Sequence, residues 1–158
     1  MKTKILIPVL MFVSLITYAG SNDESGYVVS NNDTILCSKV QFESNNVQIT
    51  LKNGESMKLE KDNIIAFKAN GRSYEKKEIF KDKIPTGEFA YMQLLGQRDG
   101  LKLFSYKYFE GPVSNSNEGY TAKKKLIVYR ETNFYLQVTE ANANTVLGYF
   151  NVDKSQLD

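Results

Sequence analysis

From residue 26 onward the chain alternates apolar and polar residues with a period of two, the spacing of strands that turn one face inward. Val47, Ile49 and Leu51 stand against Gln48, Thr50 and Lys52, and Met57 and Leu59 against Ser56, Lys58 and Glu60. Asn53-Gly54 between these runs predicts a type I′ hairpin turn, with positive φ at both central residues. Upstream, Gly26 to Ser30 and Thr34 to Cys37 flank Asn31-Asn32-Asp33, a second hairpin, whose return strand continues through Lys39 to Phe42. Ile64 to Phe67 and Ser73 to Lys76 flank Asn70-Gly71, another hairpin tip. Ile79 to Gly87 reads as punctuation: Lys81-Asp82-Lys83 is charged, Pro85-Thr86-Gly87 breaks regular structure, and the midline of the fold falls there.

Beyond that midline, Phe89 to Leu95 is a nearly continuous apolar run, as in a strand covered on both faces, and turns at Asp99-Gly100. Leu101 to Phe109 then puts Leu101, Leu103 and Phe109 on one face and Phe104, Tyr106 and Tyr108 on the other. Glu110 to Ala122 is a loop by composition. Two more strands, Lys125 to Arg130 and Phe134 to Val138, surround Glu131-Thr132-Asn133. The period then changes. Thr139 is placed to cap a helix with Glu140 in its first turn, and Ala143, Val146, Leu147 and Phe150 share one helical face. The fold class expected is mainly β: antiparallel meander or hairpin sheets forming a small barrel or sandwich, with a short C-terminal amphipathic helix.

The first nineteen residues follow another rule. Lys2 and Lys4 precede an apolar run from Ile5 to Tyr18, closed by Ala19 and Gly20 and followed by polar residues 21–25. A run this short falls below the roughly 20 residues a membrane-spanning helix needs. With its flanks it has the form of a secretory signal, cut after Ala19 or, as second choice, after Gly20; the other reading is an N-terminal anchor. Residues 20–158 then form a single β-rich domain with possible halves 26–84 and 86–158, periplasmic or secreted, and not integral to the membrane once the signal is removed.

Removal of the signal changes the charge. The whole chain has 20 Lys plus Arg and 18 Asp plus Glu; losing Lys2 and Lys4 leaves eighteen of each. A balanced chain lacks the cationic excess from which nucleic-acid affinity comes, so no nucleic-acid partner is expected. Cys37 is the single cysteine and lies in an apolar stretch, so the fold must rest on its core and the thiol is expected to be buried and inert. The chain has 0 His, which removes histidine bases, Ser-His-Asp and Cys-His arrangements and histidine-bound zinc. No phosphate-cradling glycine motif occurs, and neither cofactor nor metal is predicted. Carboxylates are scattered among lysines, as on a wet surface.

Gly26-Tyr27-Val28-Val29 with Asp33-Thr34-Ile35, then Asp62-Asn63-Ile64-Ile65-Ala66-Phe67 and the closing Tyr149-Phe150-Asn151-Val152-Asp153, resembles exported, functionally uncharacterised β-rich proteins of Bacteroidota. The chain departs from that pattern at Asn32 and at Cys37, where glycine is usual. The resemblance implies a fold and a compartment, and no activity. The first half is also similar in strand spacing to small Sm-like or PRC-like barrels.

The expected function is therefore that of a non-enzymatic envelope binding or accessory module with a protein, peptide or glycan partner. Tyrosines at 106, 108, 120, 129 and 135 crowd the second half, and Tyr106, Tyr108 and Tyr120 are the candidate contact surface, because tyrosine offers large area with a polar tip. The same rings also suit a sheet-covering core. The alternative function is a carboxylate-dependent hydrolase of envelope polysaccharide, which would need two carboxylates facing each other across a cleft.

Overall fold

The computed structural model describes residues 26–31, 33–43, 45–110 and 121–157. The expected signal and its expected cleavage site, most of the 110–122 loop and Tyr120 lie outside the described residues. The chain forms β1 (Gly26–Ser30), β2 (Asp33–Cys37), β3 (Lys39–Phe42), β4 (Asn46–Thr50), β5 (Ser56–Glu60), β6 (Ile64–Ala69), β7 (Arg72–Lys81), β8 (Ile84–Arg98), β9 (Leu101–Glu110), β10 (Thr121–Arg130), β11 (Asn133–Gln137) and helix α1 (Ala143–Phe150). All strand pairs are antiparallel. They make an 8-stranded sheet, β11-β10-β9-β8-β7-β6-β1-β2, and a 3-stranded sheet, β3-β4-β5. The fold is mainly β, as the alternation implies.

The barrel alternative is not realised. Among the described residues, β2 and β11 remain unpaired ends of the large sheet, and the chain leaves it at Ser38, whose N–H and hydroxyl both donate to Thr50 O (2.8 and 3.1 Å). That bend makes Lys39–Phe42 a strand of the second sheet rather than a continuation of β2. The small sheet lays Val47 and Ile49 against Val28, Cys37, Ile64 and Phe67 of the large one, a sandwich-like core. Cys37 is fully buried in it, as its apolar stretch implies, and burial raises its thiol pKa. Gly26 lies so close to β6 that an added Cβ would sit 2.6 Å from Lys68 O. Because the obstacle is backbone, Gly26→Ala is expected to cost about 1–3 kcal/mol, read as a lowered urea midpoint.

The supposed midline is also not a break. Asp82 and Lys83, at φ 52 and 69, form a two-residue turn that joins β7 to β8 through the Lys81↔Ile84 pair. This has the backbone signature of a type I′ turn without its usual glycine. Pro85 is tolerated because residues 84–92 of β8 pair with β7 alone, so no second neighbour needs its missing N–H. The large sheet thus contains strands from both halves of the chain. Asn70-Gly71 and Asp99-Gly100 have both φ positive, as type I′ turns require, whereas at Asn53-Gly54 only Gly54 does (φ 89). There Gly54 N–H donates to Leu51 O and Leu51 N–H to Glu55 O, a three-residue loop ending in a left-handed glycine.

β7 and β10 are three strands apart, which in a flat sheet means roughly 14 Å. Yet the Tyr129 hydroxyl donates to Glu78 O at 2.7 Å, and Lys77 Nζ to Glu131 O at 3.2 Å. The β7–β8 hairpin must therefore curl over the face of β9–β11. Register shifts at Glu78/Phe80, Leu94/Gly96 and Val128/Tyr129 supply the bend. The curl buries Met92, Phe104, Ile127 and Tyr129. On the opposite face of the same strands, Leu103 and Val128 meet Leu147, Phe150 and Val152. The helix begins later than Thr139 and Glu140: Thr139 O instead accepts from the N–H groups of Asn142 and Ala143, in a turn that precedes α1.

Candidate functional site

α1 spans the ends of β8–β11, and Gly96 sets how closely it approaches. A Cβ there would lie 3.1 Å from Phe150 Cβ and 3.2 Å from Val152 Cγ2. Where the helix lifts away from β10 and β11, an open cleft of about 410 Å³ remains, within the range of small-ligand sites. Leu101, Val128, Leu136, Val146 and Phe150 line it with apolar groups, and Asp99, Arg130, Tyr135 and Tyr149 give it a polar and aromatic rim.

The rim on the Tyr149 side is locked. The Tyr149 hydroxyl donates to Asp99 Oδ2 at 2.8 Å, and this hydrogen bond raises the phenol pKa above its usual value. The Arg98 guanidinium sits 4.9 Å from the Tyr149 ring centroid, donates from Nη1 to Tyr149 O at 3.0 Å, and approaches Asp99 (3.6 Å). The tight turn at Asp99-Gly100 aims the Asp99 carboxylate at Tyr149. Across the cleft, the Arg130 guanidinium stacks 5.1 Å from the Tyr135 centroid. Two rings held by cations thus flank an apolar floor, an arrangement suited to holding an apolar or aromatic group. No significant match to a family model, a curated protein or a solved structure was found for the chain.

The structure brings Tyr106 and Tyr108 together with ring centroids 5.9 Å apart and 21° between planes. Both are half-buried, Tyr106 against the Met92–Phe104–Tyr129 core, and Lys125 Nζ lies 4.7 Å from the Tyr108 centroid. Burial first, then the charges of Glu88 and Tyr108, raises the Tyr106 pKa. The pair lies on the core side of the sheet, across from the helix-side cleft. Tyr129 is fully buried, so it serves the core; Tyr135 is exposed and belongs to the cleft rim. Sequence reasoning missed Arg98, Asp99, Arg130 and Tyr149. The only signal for them was Asp99-Gly100, which reads as a turn, and Tyr149 beside the apolar helical face.

One charged cluster is partly enclosed by the curl. Glu75 accepts from Lys102 Nζ at 2.6 Å and pairs with Lys77 Nζ at 2.9 Å, and Lys77 also lies 5.3 Å from the Phe104 ring centroid. Burial pushes the Glu75 pKa up, but the hydrogen bonds and charges of Lys102 and Lys77 outweigh it and leave the group below its usual value. Among the described residues, no group of three or more acidic, histidine or cysteine side chains could hold a metal ion.

Proposed function

We propose that this chain is an exported, non-enzymatic binding module of the cell envelope, related to the Bacteroidota proteins it resembles, whose cleft beside α1 takes an apolar or aromatic group of a protein, peptide or glycan partner. The observation behind this reading is the cleft's composition: an apolar floor bounded by Tyr149 and Tyr135, each with a guanidinium on its ring. Preset aromatic rims cost little ordering entropy on binding, which favours recognition. The hydrolase alternative draws less support. A general acid needs a carboxyl whose pKa is raised, and among the described residues the two shifted carboxylates, Glu75 and Asp153, both move down.

Anilinonaphthalene sulfonate, an apolar ring system with an anionic group, serves as a probe. The protein is expected to enhance its fluorescence, with amide NMR shifts confined to residues lining the cleft. Val146→Arg, which fills the floor from a half-buried helix position, is expected to lower probe affinity at least tenfold. Undisturbed cleft amides at saturating probe would refute the reading.

A further inference from the structure

β8 pairs with β9 only as far as Gln93↔Ser105, so, among the described residues, 106–110 and 121–125 pair solely with each other and leave the sheet as a two-stranded ribbon. The ribbon holds four lysines, at 107, 123, 124 and 125, and one acid, Glu110, which makes it cationic by three charges. Its two faces differ. On the tyrosine face the charges are engaged: Lys123 pairs with Glu110, and Lys125 sits over Tyr108.

The opposite face is unsatisfied by any described residue. Lys107 and Lys124 stand directly across from each other in the ladder, and both are exposed. Neither makes an ion pair with a described residue, and like charges in this position repel. Two pairs along the ladder, Phe109↔Ala122 brings Phe109 to the same face with 73% of its surface exposed. Among the described residues, nothing compensates either the repulsion or the exposed ring.

We propose that this face of the β9–β10 ribbon docks on an anionic lipid surface, with Phe109 entering the headgroup–acyl boundary and Lys107 and Lys124 on the headgroup phosphates. A soluble polyanion would satisfy the lysines but leave the phenyl ring in water. An anionic bilayer satisfies both, since aromatic rings favour the interface and long lysine stems reach back to the headgroups. The surface is separate from the cleft beside α1, so the proposal stands or falls independently of the ligand reading.

Residues 20–158, which contain the whole described fold, are sedimented with phosphatidylcholine vesicles with and without phosphatidylglycerol. Binding is expected only with phosphatidylglycerol. K107Q/K124Q should weaken it about 30-fold, from about 1 kcal/mol per lysine near such a surface. Phe109→Ser should weaken it at least tenfold. Leu36→Ser, which removes an exposed apolar residue from β2 at the far end of the sheet, should leave it unchanged. These positions are exposed, so unaltered thermal unfolding verifies that each variant is folded. Equal binding to neutral vesicles, indifference to K107Q/K124Q or Phe109→Ser, or lysine-dependent capture of duplex DNA without vesicle binding would each overturn the proposal.

Discussion

Tyr129→Ala is expected to lower folding stability by about 3–5 kcal/mol, a large share of the roughly 5–15 kcal/mol that holds a typical domain folded. The side chain is fully buried, with its ring edge-on to Phe104 (5.6 Å, 87°) and Phe80 (6.1 Å, 69°), and its hydroxyl tethers the curled β7 at Glu78. Truncation opens a cavity and removes the Tyr129–Glu78 tether in one step. Tyr129→Phe keeps the ring contacts and removes only the tether, so a loss of about 1 kcal/mol is expected. Urea unfolding measures both. A Tyr129→Ala loss below about 1 kcal/mol would show that the β7–β8 curl is not held by this contact.

The second large effect is a loss of stability at alkaline pH. Burial, then the charges of Glu78 and Tyr106, pushes Tyr129 up to about 12. Burial, then the Asp62 carboxylate, does the same to Tyr91, raising it to about 12, while its hydroxyl reaches Lys61 O at 2.8 Å and Ile64 O at 3.0 Å. In the unfolded chain both phenols titrate near pH 10. Between these values the native state keeps protons that the unfolded chain has released. The stabilisation is therefore complete below about pH 10 and is lost as pH rises toward 12. Each group contributes roughly 2–3 kcal/mol to that fall. The urea midpoint should drop steeply over this window, and the phenolate absorbance of Tyr91 and Tyr129, isolated by difference against Tyr91→Phe and Tyr129→Phe, should appear together with unfolding. Tyr91→Phe should flatten the slope by about half. A midpoint that stays level to pH 12 would mean that neither phenol is shifted.

Strand positions were legible because period-two alternation is a local property. Val47 and Ile49 face inward as their spacing implies, and Leu103 and Phe104 point to opposite cores. Turn chemistry was legible where glycine marked it, at Asn70-Gly71 and Asp99-Gly100. It was hidden at Asp82-Lys83, where two non-glycine residues take positive φ and the flanking Pro85 and Gly87 suggest a break. The cleft was the least legible feature. Arg98 and Tyr149 are 51 residues apart in sequence, and no local pattern announces that a guanidinium at one strand end will stack on a ring in a distant helix.

Sequence alone settled what each short segment can be, since φ/ψ preference and the side on which a residue projects depend on its immediate neighbours. It also set the chemistry at hand, a chain with 0 His and one thiol. Only the tertiary structure decided that the chain leaves the large sheet at Ser38, that β7 curls over β10, and that the β9–β10 ribbon separates from β8 with Lys107 opposite Lys124. Those outcomes depend on bulges and on contacts between residues far apart in the chain, whose energies arise only once the strands have met.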